Sequence, residues 1–410
     1  MRIADGRSIG RRLMAEQRFA EAEAAFEAAL RRCPDDPEAH YLRGEALFLQ
    51  RRLDEALECH AAAARLAHRK GTDLGGAMSG IVPGDFGWMS HMLRGDFESA
   101  WRLADEDRAR RLVAGITGAD WPRHMRPVWD GARLSGARVL VRCYHGLGDT
   151  IQFARYLPLL AGRAARVCVE AQPELIPLLQ GLPGVADIVK LGAEDHPPGR
   201  FGCDAEIDMT EMPHAFRTRL DTIPAAIPYL SADHARSAAA ARRLSAIPGR
   251  LRAGLVWAAG EWKPERSMEL AQLAPLAAIP GIALVNLQRG PEYRRWRDAP
   301  SSLPLVEAFE TDAVADAAAT VANLDLVITV DTMVAHLAGA LGVPALLMLH
   351  FAADWRWLLD RSDSPWYPTM RLFRQPRPGD WTAVVNEVSA ALRSRSNRAQ
   401  RDAGLNPELS

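Results

Sequence analysis

The sequence predicts a helical repeat region followed by two α/β units, each built as a parallel strand–helix alternation. Three observations carry this. Gly10 and Gly44, Leu13 and Leu47, Ala22 and Ala56, and Ala29 and Ala63 are each 34 residues apart. From residue 136 onward, short apolar runs alternate with helix-patterned segments across brief loops. The stretch LDLVITVDTMVAHLAGALGVPALLML (324–349) reads as buried strand, helix and buried strand, with Asp331 and Thr332 at the first junction.

A chain of 410 residues is long enough for two or three domains. Its 50 basic and 51 acidic residues give a net charge of -1 with no single-sign block. No nucleic-acid partner is therefore expected, since such partners select a basic stripe. Five cysteines without a close CxxC pair fit a reducing compartment. Met1-Arg2-Ile3-Ala4-Asp5 opens into a charged segment rather than a signal peptide, and no run is long enough to span a bilayer. These features together predict a cytoplasmic protein without a transmembrane segment.

Residues 1–125 form the first region. RFAEAEAAFEAALRRCPDDP and RLDEALECHAAAARLAHRKG share the 34-residue register, with small residues where paired helices approach. That is the period and pattern of a tetratricopeptide-like helix pair. His60 stands where Phe26 stands in the first repeat, and GDFESAW (95–101) echoes the motif at a stretched spacing. So few repeats need covering at their ends, and the region is expected to pack against the rest of the chain. WPRHMRPVWDG (121–131) reads as an irregular connector.

The first α/β unit spans 126–235. ARVLVRC, RVCVEA, VADIVKL and CDAEIDMTEM hold its four strands, with IQFARYLPLLAG and PELIPLLQGL as helices between them. Gly146-Leu147-Gly148-Asp149-Thr150 follows the first strand, where glycines let backbone approach a ligand. It is neither a GxGxxG fingerprint nor a Walker A loop. Asp149 there is either an acid–base group facing a crevice or a first-turn carboxylate stabilising its own helix. Asp204, Glu206 and Asp208 alternate along a strand, and a solvated edge outweighs a metal site. His214 lies just beyond that strand.

The second α/β unit spans 236–393, with a polar tail over 394–410. A helix near 233–246 leads to the strand LRAGLVWAAG, then to Lys263 and Arg266, with Ser267 expected to cap the helix MELAQLAPLAAI. Lys gives a movable point charge and Arg a planar fork, so the loop reads as an anion receptor or as a self-paired surface loop. IALVNLQRG repeats the device with Gln288 and Arg289, and 291–310 reads as a surface loop ending in a short strand. TDAVADAAATVANL, opened by Thr311-Asp312, feeds the central strand. After it, Asp331 suits sugar hydroxyls or the turn itself, while Thr332 and the N–H groups of Met333 and Val334 suit phosphate oxygens. His336 converges with Asp331 only if the aspartate lies outside the helix. No GxSxG elbow accompanies them. Trp355, Trp357, Trp366 and Tyr367 either stack on a ligand or pack their loop. MRLFRQ is the last strand.

GLGDTIQFARYLPLL, AGLVWAAG with RSMELAQLAPL, LVITVDTMVAHLAGALGVP, and ADWRWLLDRSDSPWYPTMRLFRQ together resemble the glycosyltransferase family 9-like domain. These are heptosyltransferase relatives, found in bacterial proteins with N-terminal tetratricopeptide repeats. The resemblance covers about 126–393. It implies two Rossmann-like domains in a GT-B arrangement, and metal-independent, inverting transfer from a nucleotide-sugar to a hydroxyl, with no further cofactor. It places Asp149 as the base, Lys263 at phosphate, and Asp331 and His336 in a DTxxxH motif beside the donor. The loop AGEWKPERS departs from the relatives' GNPxHxxDRxRS, and Tyr144-His145 replaces their Glu-Gln. His145 thereby joins Gly146, Gly148 and His214 as an acceptor-side candidate. The implied acceptor is a glycan, a lipid-linked group or a polypeptide held by the repeats. The competing expectation is a repeat-bearing scaffold whose transferase-like domain has lost turnover. Oligomeric state stays open.

Overall fold

The computed structural model describes residues 6–71, 85–113, 129, 131–134, 136–192, 200–249, 251–260, 263–298, 303–307 and 313–402. They divide into two compact units. Most of the connector expected at 121–131, the loop residues Glu261 and Trp262, and the helix opening at Thr311-Asp312 lie outside the described residues.

The first unit is the helical array: α1 (Gly6–Ala15), α2 (Phe19–Arg32), α3 (Pro37–Leu49), α4 (Leu53–Lys70), α5 (Asp85–Arg94) and α6 (Phe97–Val113). Asp36 caps α3, accepting from the N–H groups of Glu38 and Ala39, and Pro37 occupies the first helical position. The 34-residue register has a physical basis. A Cβ at Gly10 would overlap the Phe26 ring, and one at Gly44 would overlap the His60 ring, so each glycine makes room for an aromatic side chain across a helix pair. Leu13, Ala22, Phe26, Tyr41, Ala46 and Ala63 fill the space between. GDFESAW is the turn into α6, with Gly95 in the left-handed region at φ 79°. Residues 217–221 and 352–360 belong to this unit as well. Trp101 donates to the Thr218 carbonyl at 2.7 Å, and Trp355 meets Trp88 edge-on.

The second unit holds both sheets. The first has β1 (Arg138–Arg142), β2 (Arg166–Ala171), β3 (Val185–Lys190) and β4 (Ala205–Asp208) in the order β3-β2-β1-β4, all parallel. Its helices are short: α7 (Leu147–Phe153), α8 (Leu157–Ala161), α9 (Ile176–Leu179) and α10 (Met212–Ala215). The expected continuous helix over 151–162 breaks into a 3-10 turn at 154–156. Pro158 has no N–H to give Ala154, so the α pattern must restart there. After α11 (His234–Ser245), the second sheet contains β5 (Leu251–Val256), β6 (Ile282–Asn286), β7 (Leu305–Glu307), β8 (Leu326–Val330), β9 (Ala345–Leu349) and β10 (Met370–Arg374). Their order is β10-β9-β8-β5-β6-β7, again all parallel. Helices α12 (Ala274–Ala277), α13 (Pro291–Asp298), α14 (Val314–Val321), α15 (Met333–Ala340) and α16 (Trp381–Asp402) connect and close it.

Three expectations are corrected here. Ser267 caps no helix; it is extended after a 3-10 turn, and only short 3-10 and α segments follow, interrupted by Pro275. Residues 291–298 are the helix α13 rather than loop, with Pro291 at its start after Gly290 at φ 78°. The closing helix α16 runs to Asp402, past the polar tail expected from 394, and Ser396 is buried and donates to the Pro280 carbonyl.

Helical repeats followed by two Rossmann-like parallel sheets, in a GT-B arrangement, is therefore the architecture. Each sheet has one point where the chain leaves in one direction and returns on the other side. These topological switch points fall between β1 and β4 and between β5 and β8, and ligands in open α/β sheets bind beyond the strand ends there.

Candidate functional site

At the first switch point, β1 ends in Cys143-Tyr144-His145-Gly146 and α7 begins at Leu147. Asp149 Oδ2 accepts from the Gly146 N–H at 3.0 Å. That is the acidic half of a capping box; glycine has no side chain to return the other half. Asp149 is thus a helix-start carboxylate, and this geometry alone does not aim it at a substrate. His145 Nε2 lies 2.9 Å from Asp208 Oδ2, across from β4. Asp208 is buried, and its other oxygen accepts from the Thr210 N–H and hydroxyl, both at 2.7 Å. Burial alone would raise the Asp208 carboxyl; hydrogen bonds from His145, Tyr144 and Thr210 outweigh it and hold the group below its ordinary value. For His145 burial pulls the imidazole down, but the Asp208 hydrogen bond and charge, with Asp149 and Glu211, push it above its ordinary value. The Gln172 side chain donates to the His145 carbonyl at 2.8 Å and accepts from Thr150, which fixes the turn.

Asp204, Glu206 and Asp208 do not act together. Asp204 accepts from the Arg138 N–H, Glu206 pairs with Arg142 at 2.8 Å, and Asp208 holds His145. Among the described residues, no group of three or more His, Cys, Asp or Glu is placed to hold a metal ion. His214 sits on α10 with Nδ1 3.7 Å from Glu211.

At the second switch point, Asp331 is outside the helix and buried, with Oδ2 3.5 Å from the Arg266 guanidinium. Thr332 is the extended N-cap residue of α15, its hydroxyl 3.2 Å from that of Thr329. The first-turn N–H groups at Met333 and Val334 begin here, where the helix dipole is positive. His336 is buried one turn on, its Nδ1 3.0 Å from the Tyr367 hydroxyl.

Among the other sequence-predicted residues, Gln288, Arg289 and Ser267 are engaged by internal partners. Gln288 is buried and spends its amide on backbone, accepting from Trp257 and Ala258 and donating to Ala258 and Arg289. Arg289 stacks on Tyr293 and reaches Glu307 at 3.2 Å. Ser267 Oγ accepts from the Ala259 N–H at 3.0 Å and holds the loop after β5. Lys263 is half-buried at the start of the 264–266 turn that carries Arg266. Trp366 and Tyr367 are fully buried, so packing rather than stacking on a ligand is their role.

The two halves meet. A Cβ on Gly148 would come within 2.9 Å of His336 Cδ2 and 3.5 Å of Met333 Cα. Gly148 therefore lets the start of α7 lie directly against the start of α15. Replacing Gly148 with Val is expected to force these helix starts apart and lower the melting temperature of the α/β unit; an unchanged melting curve would count against close contact here. The sequence missed the Asp208 and Tyr367 partners, because each lies on an element distant in the chain.

The tetratricopeptide repeat family profile matches residues 8–68, which are the helices α1 to α4. Protein FlbA of Caulobacter vibrioides is 25% identical over 319 residues, covering 72% of this chain and 51% of that protein. The chain thus spans about half the length of that relative. Among solved structures, the glycosyl transferase family 9 protein of Veillonella parvula is 14% identical, covering 65% of this chain and 99% of its own, with a TM-score of 0.49. The E. coli ADP-heptose lps heptosyltransferase II is 17% identical over 63% of this chain and 99% of its own, with a TM-score of 0.44. Both are distant likenesses. No described helix is long and apolar enough to cross a membrane.

Proposed function

We propose that the chain is a glycosyltransferase that moves a sugar from a nucleotide-sugar donor to a hydroxyl acceptor, inverting and independent of a metal ion. The observation that carries this is the meeting of two helix starts, α7 and α15, each at the switch point of its own parallel sheet. The second sheet offers the anion-receptive side. The N–H groups of Met333 and Val334 and the Thr332 hydroxyl suit the donor diphosphate, with Arg266 and Lys263 adding positive charge. Asp331, held by Arg266, fixes the turn. The first sheet offers the proton acceptor at the start of α7, where the sequence resemblance puts Asp149. In the reaction the acceptor O–H gives up its proton as its oxygen bonds the anomeric carbon. The carbon–phosphate oxygen bond breaks and the electron pair leaves with the nucleoside diphosphate. The acceptor is a glycan, a lipid-linked group or a polypeptide recruited through the repeats.

A second reading, a repeat-bearing scaffold without turnover, draws support from the capture of Asp149 by its own helix and of Gln288 and Arg289 by internal partners. Thermal shift and diphosphate release with ADP-, GDP-, UDP- and dTDP-sugars separate the two. The transferase reading expects one nucleotide to stabilise the chain and its sugar to be consumed. Arg266→Ala is then expected to weaken that nucleotide's binding about tenfold, the loss of one charged hydrogen bond. Binding without any turnover, with every acceptor class supplied, would favour the scaffold.

A further inference from the structure

We infer that His145, positioned by Asp208, takes the proton from the acceptor hydroxyl, and that Asp149 supports it electrostatically while capping α7. This rests on the transferase reading above and names the proton acceptor within it.

The argument starts from hydrogen-bond roles. Asp208 accepts from the Thr210 N–H and hydroxyl on one oxygen and from His145 Nε2 on the other, with the Tyr144 hydroxyl a further donor to the carboxylate. A carboxylate so placed makes Nε2 the protonated nitrogen of the neutral ring, which leaves Nδ1 as the basic one. Among the described residues Nδ1 has no hydrogen-bond partner, and the side chain is 38% exposed while Asp208 is 5% exposed. The arrangement is a buried orienting carboxylate behind a solvent-facing imidazole. Gln172 holds the His145 carbonyl and the Tyr144 ring lies against the imidazole at 4.6 Å between centroids, so the ring has a fixed direction.

The contrast with Asp149 decides between them. One Asp149 oxygen accepts from the Gly146 N–H at 3.0 Å, which ties the side chain to its own helix start rather than to an incoming hydroxyl. An imidazole titrates near neutrality, where a general base is most effective. The groups facing His145 are Asp208 on β4, Glu211 on the turn after it, Asp149 on α7 and Tyr144 beside it. The three carboxylates favour the imidazolium that forms on proton transfer. The proton passes from the acceptor oxygen to Nδ1, the new bond forms at the anomeric carbon, and the nucleoside diphosphate leaves with the bonding pair. The imidazolium then returns the proton to water.

The test uses the full chain and the nucleotide-sugar that the parent turns over in the donor panel. His145→Gln is expected to cut kcat about 100-fold or more, with the thermal shift by the matching nucleoside diphosphate unchanged. His145→Gly is expected to regain at least about tenfold of its lost rate in buffer containing imidazole. Asp208→Asn is expected to move the acid limb of the kcat/KM profile to lower pH, because the ring loses its stabilising charge. A purely structural Asp208 would leave that limb in place, which overturns its role. If His145→Gln keeps the parental rate while Asp149→Asn loses it, the proton belongs to Asp149 and this assignment fails while the transferase stands. A parent that consumes none of the four donors sinks both.

Discussion

Replacing Arg155 with Ala is expected to destabilise the α/β unit by about 3–5 kcal/mol, the cost of breaking a buried charged network. Arg155 lies on the 3-10 turn after α7 and is buried. Its guanidinium donates to the carbonyls of Trp366 (2.6 Å), Pro224 (3.2 Å) and Gln152 (2.9 Å), and to the Tyr229 hydroxyl (3.2 Å). It also lies 4.6 Å from the Tyr367 ring centroid and 4.7 Å from that of Tyr229. Among the described residues it has no carboxylate partner, so oriented dipoles and aromatic faces hold the charge. Removing the side chain takes a charged donor from each of those carbonyls and opens a cavity between the rings. Lysine would keep the charge but cannot reach four acceptors with one fork, so Arg155→Lys should recover only part of the loss. The melting temperature of Arg155→Ala should fall by on the order of 10 °C. A fall of less than about 2 °C, well under the scale of such a loss, would show that the network is not needed.

The same residue links stability to the site. Trp366 and Tyr367 receive Arg155 from one side, and Tyr367 holds His336 on the other. Gly339 allows this, since a Cβ there would overlap the Tyr367 ring. The start of α15 is thus positioned by a chain of contacts running back to the segment that follows α7. Arg155→Lys, if it folds, is therefore expected to weaken nucleotide binding as well as stability.

Strand positions were legible because a buried parallel strand is a short apolar run and carries its own signal. RVCVEA is β2 residue for residue, and the runs around Asp331 are β8 and β9. Helix extents were less legible. Pro158, Pro177 and Pro275 each remove an N–H inside an apolar pattern that otherwise reads as continuous. Segment 291–298 lacks apolar periodicity and so reads as loop, although Gly290-Pro291 and the basic Arg295 and Arg297 near its end are helix-boundary signals. The strand-to-helix junctions that carry the candidate residues were legible, but the partners of those side chains were not. His145 and Asp208 are joined only because β4 returns beside β1, which no local spacing encodes. Gln288 and Arg289 look like ligand groups for the converse reason. They follow a strand end, yet the Gln288 side chain is spent on the backbone after β5 and Arg289 on the Gln288 carbonyl and Glu307.

His60 is expected to make the helical array acid-sensitive, and His60→Phe to remove that sensitivity. The imidazole is buried between Tyr41 and Phe86, and among the described residues neither ring nitrogen has a side-chain hydrogen-bond partner. Burial pulls the imidazole from its ordinary value of 6.5 down to about 4, with a backbone contact at Tyr41 opposing slightly. Above pH 6.5 the ring is neutral folded and unfolded, and contributes no pH dependence. Below it the unfolded chain takes a proton that the folded array refuses, so stability falls until pH 4 and then levels off. The loss is about 2 kcal/mol at pH 5 and about 3 kcal/mol once both states are protonated. Burial raises the Glu45 carboxyl, which works the other way, since a group held above its unfolded value favours the folded state as pH falls. Comparing His60→Phe with the parent cancels that contribution. The first repeat shows that phenylalanine fits, because Phe26 fills the same place beneath Gly10 that His60 fills beneath Gly44. The melting temperatures of the two proteins should therefore diverge from pH 7 to pH 5, with the phenylalanine form the more stable in acid. A gap that stays constant across that range would mean that His60 accepts a proton in the folded array, and that the site is wetter than its packing indicates.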